Sequence, residues 1–198
     1  MSAPPNDPQF VTIVLGATGG PREENLSAYL LAPVGSSDFI ALDAGTLLTG
    51  IRQAEVKGSF GDGAVPQDSP LAPEGWILQH RIVAYLISHA HLDHVAGLIL
   101  NSQDDTAKKI IGLGCTIDAL RDHLFNGRIW PNFGTEGAGH QLRQYQYQRV
   151  VPGQEYRVCG TSLSVEPFVL SHAAHCPSTA FLIQIQWVLH AVFWRYRT

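Results

Sequence analysis

The stretch Arg81-Ile-Val-Ala-Tyr-Leu-Ile87-Ser-His89-Ala-His91-Leu-Asp93-His94-Val-Ala-Gly97-Leu-Ile-Leu100 decides how this chain is read. Arg81 to Ile87 is a strongly apolar run with the composition of a buried strand. Residues of metal-ligand type take four of the six positions from His89 to His94. Residues two apart in extended backbone point to the same side, so His89 and His91 can grip one metal ion. Asp93 and His94 follow as the chain turns into a helix, begun by Val95 to Leu100, and can face a second metal nearby. Imidazole nitrogen and carboxylate oxygen are donors that zinc takes, and a catalytic zinc keeps one position open for water. A surface run that is His-rich by accident has no reason to place four such residues at this spacing behind a buried strand. Gly97 suits a close approach of the helix to the metal.

Working outward, Phe10 to Leu15, Ser27 to Ala32 and Phe39 to Leu42 read as strands, the last running into the turn Asp43-Ala-Gly45. Thr46 to Val56 has apolar Leu47, Leu48 and Ile51 at helical spacing. Lys57 to Gly75, rich in Gly, Pro, Asp and Ser, reads as the longest loop. Lys109 to Gly112 is strand-like, and Thr116 to Phe125 reads as a helix with Thr116 as N-cap and Asp118 in its first turn. Tyr145 to Val151, Ser162 to Leu170 and Thr179 to Gln186 complete the strands. With no repeat or linker in 198 residues, this alternation predicts one α/β or α+β layered domain.

Composition narrows the function. A net charge of −4 gives no electrostatic case for nucleic acid or an anionic membrane as partner. No apolar run is long enough to span a bilayer, and Met1 to Gln9 does not read as a signal peptide. Three cysteines, Cys115, Cys159 and Cys176, show no Cys-x-x-Cys spacing, which argues against a disulfide framework and fits the cytoplasm.

A strand-end site needs a further ligand from another strand end. Ser171-His172 follows the Ser162 strand, which makes His172 the candidate to complete the first metal with His89 and His91, with His175 as the fallback. His123 reads as a helix-surface or core histidine, and Tyr145 and Tyr147 as sheet packing. Arg128-Ile-Trp-Pro-Asn-Phe133 reads first as a core-anchored loop, with base stacking as the alternative.

The run from His89 through Ser102 resembles the signature of the class II cyclic-nucleotide phosphodiesterases, with only Gln103 departing. Gly16-x-x-Gly19-Gly20-Pro21 with Asn25 and Ser27, Asp43-Ala-Gly45, and Ser178-Thr-Ala-Phe-Leu-Ile183 are similar to that family as well. The resemblance implies a metallo-β-lactamase-like αββα sandwich, here incomplete in its C-terminal half. It also implies two divalent metal ions, zinc being the expected identity, held by His89, His91, Asp93, His94 and His172. Asp93 would in addition orient or relay a proton, as catalytic residue. The implied reaction opens the 3′,5′-cyclic phosphodiester of cAMP or cGMP to a 5′-monophosphate. The alternatives are another hydrolase of the same fold, a thioesterase or a nuclease, and a non-catalytic relic.

The family pattern has two more ligands after the Ser178 strand, a bridging aspartate in a Phe-Gly-Asp-Thr-Gly-like run and a late histidine. Residues 187–198 contain no Asp or Glu, and His190 is their only ligand type. Trp is always TGG, and shifting the codons of Phe193 to Arg197 forward by one base permits Phe-Gly-Asp-Thr-Gly. The expectation is therefore a frameshifted or unspliced tail, with a genuine short isoform as the alternative, and a chain with an incomplete second metal site and little turnover. The gene's nucleotide sequence across codons 184 to 198 tests this, and a next frame that stops or does not encode Gly-Asp ends the idea.

Overall fold

Alternating burial along the central strands builds two cores back to back. In the computed structural model, residues 7–20, 22–172, 177–185 and, for the backbone, 188–192 are described. Strands β1 (Phe10–Gly16), β2 (Ala28–Pro33), β3 (Phe39–Leu42), β4 (Ile82–Leu86), β5 (Lys108–Leu113), β6 (Asn132–Gly134) and β7 (Gln141–Val150) form one sheet in the order β1-β2-β3-β4-β5-β7-β6. Its first two pairings are antiparallel and the rest parallel. A second, antiparallel sheet has the order β11-β10-β9-β8, from β8 (Tyr156–Arg157), β9 (Leu163–Leu170), β10 (Ser178–Ile185) and β11 (Val188–Val192).

Every residue of β3 is buried, as befits a strand covered on both faces. Its Phe39 and Ala41, with Tyr85 and Ile87 from the β4 segment, face the helices α1 (Leu48–Val56), α2 (Pro73–Arg81), α3 (Leu92–Asn101) and α4 (Gly114–Ala119). Ile40, Leu42, Ala84 and Leu86 face the other way and pack on Val165, Phe181 and Ile183 of the second sheet. Among the described residues the layers are thus helix, sheet, sheet, with no helix on the outer face of the second sheet. None of these helices is long and apolar enough to cross a membrane.

Local expectations fail where tertiary contacts overrule them. The 57–75 loop ends early because Pro73, at the first helical position where its missing N–H costs nothing, starts α2. Thr116 is no N-cap: α4 begins at Gly114, and Thr116 is buried inside it. Asp118 accordingly lies beyond the first turn, where it pairs with Arg121 and Arg149, each at 2.9 Å. Trp130 packs on the core and donates to the Ser102 hydroxyl at 2.9 Å, and Phe133 is buried, so 128–131 is a core-anchored loop that runs into β6 at Asn132. His123 is exposed on its helical turn, and Tyr145 and Tyr147 are buried sheet residues. The tail is not left outside the fold: Val188–Val192 pairs with β10, Ile185 opposite Val188. That gives the Thr179 strand a neighbour on both sides. Trp187 and 193–198 lie outside the described residues.

Between the helix layer and the first sheet sits a closed polar hub. Asp105 accepts from the hydroxyls of Tyr85 at 2.6 Å and Tyr145 at 2.8 Å and pairs with the Lys108 ammonium. Burial, then the charge of Asp105, raises both tyrosines, while burial lowers Lys108 against the pull of that same carboxylate. Replacing Asp105 with Ala strands a buried cation and two hydroxyls. We expect a loss of about 3–5 kcal/mol of folding free energy in urea titrations, the usual result of removing one partner from a buried pair, and a smaller loss for Asp105→Asn. An unchanged midpoint for Asp105→Ala would contradict this account of the hub.

Candidate metal centre

The end of β4 delivers the histidine loop. Ile87 continues the sheet by donating to the Ile111 carbonyl at 2.9 Å, and the next residues, Ser88 and His89, are buried. His91 then adopts extended backbone at the N-cap position of α3, and Asp93 lies in the first turn. The turn Asp43-Ala44-Gly45, after β3, is stitched along this helix. Ala44 N–H donates to the His94 carbonyl at 2.8 Å, Gly97 N–H to Gly45 at 2.9 Å, and Leu98 N–H to Ala44 at 3.0 Å. The contact depends on two glycines. A Cβ on Gly97 would sit 2.8 Å from the Ala44 carbonyl oxygen, and one on Gly45 would sit 2.1 Å from that of Asp93. Gly97 therefore serves the approach of α3 to this turn, a correction to the expectation that it approaches the metal.

The sequence candidates come together. His89, His91 and His172 each offer a ligand atom, and these atoms lie within 4.8 Å of one another. His172 Nε2 and His91 Nδ1 are 3.2 Å apart, close to the ~3.3 Å nitrogen–nitrogen edge of a tetrahedral shell with bonds of about 2.0–2.1 Å. His94 lies tilted beside them, its ring centroid 4.0 Å from that of His89, and its Nε2 lies 3.5 Å from Asp93 Oδ2. His175 falls outside the described residues. His190 lies on β11 opposite Ile183, and its side chain is likewise outside them.

Two residues that sequence reading left without a role organise the cluster. Asp43, 1% exposed and in left-handed backbone (φ 56°), accepts at Oδ1 from Ser88 N–H at 2.8 Å. Its Oδ2 accepts from the Ser88 hydroxyl at 2.8 Å and from His94 Nδ1 at 2.7 Å. Ser88 Oγ is also 3.0 Å from His89 Nδ1. The one available signal was an Asp in a glycine-containing strand-end turn, since Asp tolerates left-handed backbone better than most residues.

Electrostatics follow this wiring. Burial, then the neighbouring His94, His172 and His91, pushes His89 down to about 3. Burial followed by His91 and His94 also lowers His172. His94 goes the other way: burial opposes its charge, but the hydrogen bond and charge of Asp43, with Asp93, outweigh burial and raise it. The Nε2 atoms of His89 and His94 are both buried without a hydrogen-bond partner. A buried nitrogen left bare is costly unless something else occupies it, and clustered imidazoles are a donor set suited to a divalent metal.

The fold is shared with solved structures. The metallo-β-lactamase fold protein YhfI of Bacillus subtilis superimposes with a TM-score of 0.53 at 15% identity, over 88% of this chain and 57% of that one. Unliganded yeast PDE1 superimposes with a TM-score of 0.67 at 25% identity, over 88% and 61%.

Within that fold, residues 7–188 match the model of the class-II cAMP phosphodiesterases, and the chain belongs to that family. It is 44% identical over 175 residues to a 3′,5′-cyclic-nucleotide phosphodiesterase of Aliivibrio fischeri, covering 88% of this chain and 53% of that protein. The chain thus spans about half the length of the curated relatives it matches.

The Gly45 contact yields a test. Gly45→Ala must push the first turn of α3 away, so it is expected to cost about 1–3 kcal/mol, as overpacking generally does. It should also weaken metal binding by displacing Asp93 and His94. Wild-type stability and metal affinity in Gly45→Ala would show that the approach is not tight.

Proposed function

We propose that this chain is a metal-dependent phosphodiesterase unit acting on 3′,5′-cyclic nucleotides, cAMP foremost. The observation that carries the reading is the convergence of three histidine nitrogens from two different sheets within 4.8 Å, in a chain of this family. His89, His91 and His172 would hold one divalent ion, with zinc matching the nitrogen donor set. Asp93 and His94 flank a second position beside the first. Metal bound there would supply Lewis-acid polarisation of a phosphoryl oxygen and an acidified attacking water.

The protein's own side chains do the rest. Asp93, half-buried at the mouth of the cluster, can orient the attacking water and accept its proton at Oδ2. The buried Asp43 carboxylate keeps His94 turned so that Nε2 faces Asp93. The product would be a 5′-monophosphate. Neither Cys115 nor Cys159 is in a disulfide among the described residues, and our reading places the chain in a reducing compartment, the cytoplasm.

Metal analysis combined with a cAMP hydrolysis assay tests the proposal. The purified chain should bind divalent metal, and His91→Ala should lose most of it. In a version extended to the relatives' length, Asp93→Ala should lower cAMP hydrolysis by about 10²–10⁴-fold, the scale of a lost acid–base group, with the fold intact. Metal-free wild-type protein, or undiminished turnover in Asp93→Ala, would refute the reading.

A further inference from the structure

Ser88 sits where every constraint on the cluster meets. Its N–H donates to Asp43 Oδ1, its carbonyl accepts from Thr179 N–H at 3.0 Å, and its hydroxyl touches Asp43 and His89. A serine hydroxyl carries one proton, and an ionised carboxylate only accepts. At 2.8 Å from Asp43 Oδ2 the hydroxyl donates to that oxygen. The 3.4 Å separation of Ser88 Oγ from His94 Nδ1 is the longer of that nitrogen's contacts, and its 2.7 Å bond goes to Asp43. What remains on Ser88 Oγ is two lone pairs, so it meets His89 Nδ1, 3.0 Å away, as an acceptor. That nitrogen must therefore carry hydrogen, and a neutral imidazole has only one N–H, so Nε2 is left bare.

We propose that Ser88 is a positioning residue: its hydroxyl relays the Asp43 carboxylate to His89 and holds that ring as the Nδ1–H tautomer, with Nε2 free for a ligand. His94 is set in the same sense by Asp43 directly. One carboxylate thus orients two histidines, one by contact and one through Ser88. The consequence for metal affinity rests on the metal reading above, whereas the tautomer itself is a property of the metal-free chain. Outer partners that fix a ligating histidine are generally worth 10–100-fold in metal affinity.

The experiment is a long-range ¹H–¹⁵N correlation spectrum of the imidazoles in metal-free protein at mildly alkaline pH, paired with zinc titration. Wild type should show His89 with its hydrogen on Nδ1. Ser88→Ala should move it to Nε2, the form preferred by free histidine, and weaken zinc binding about 10–100-fold. Ser88→Thr should restore both. Should Ser88→Ala fail to fold, Ser88→Thr and Ser88→Val, nearly equal in shape, isolate the hydroxyl. Unfolding midpoints separate a merely structural role, which would lower stability without moving the hydrogen. An unchanged tautomer in Ser88→Ala, or in Ser88→Val, overturns the proposal. A wild-type chain with the Nδ1–H form that binds no zinc supports the relay and overturns the metal reading instead.

Discussion

The Asp43 carboxylate is the constraint on which the site depends. It lies buried at the end of β3 in a backbone conformation that non-glycine residues avoid, and three hydrogen bonds hold it there. Burying a charge is tolerated only where partners are supplied, and here each partner belongs to the histidine loop. The Ser88 amide anchors the loop's start, the Ser88 hydroxyl reaches His89, and His94 is held from the opposite side. The same turn clasps α3 through main-chain bonds that exist only because Gly45 and Gly97 lack a Cβ. Strand, turn and helix are thus locked together before any ligand is considered.

The second sheet has a distinct task. His172 follows β9, while His89 and His91 follow β4 of the other sheet, so the cluster closes only if the two sheets keep their separation. The apolar layer of Leu42, Leu86, Val165 and Phe181 supplies adhesion without direction. The bond from Thr179 N–H to the Ser88 carbonyl supplies the direction, since it joins the sheets one residue before His89. A non-directional core and one placed hydrogen bond together set a distance that neither sheet sets alone.

The polar hub around Asp105 shows the same economy away from the site. Tyr85 lies on β4, Lys108 on β5 and Tyr145 on β7, so a single carboxylate ties three adjacent parallel strands. Its bonds are nearly all used, and it leaves no bare nitrogen of the kind found on His89 and His94. That difference separates the two buried polar networks.

Local chemistry explains how much could be read in advance. The six positions from His89 to His94 are legible because spacing along one strand end fixes which side chains share a side. β3 was legible to the residue, Phe39 to Leu42, because a four-residue apolar run closed by Asp43-Ala-Gly45 is too short for a helix. The helix α2 was not, because only Ile77 and Leu78 of its nine residues are buried and its start lies in a Pro- and Gly-rich stretch. His172 could be proposed from its place after a strand, but its meeting with His91 spans 81 positions and depends on how two sheets pack. The roles of Asp43 and Ser88 were out of reach for the same reason. They are 45 residues apart, and a hydrogen bond between them follows from β3 lying beside β4, which is a matter of strand order. The sequence by itself determined which residues could bind a metal. Tertiary structure alone decided which nitrogen of each ring faces the site, because that choice belongs to partners brought from elsewhere in the chain.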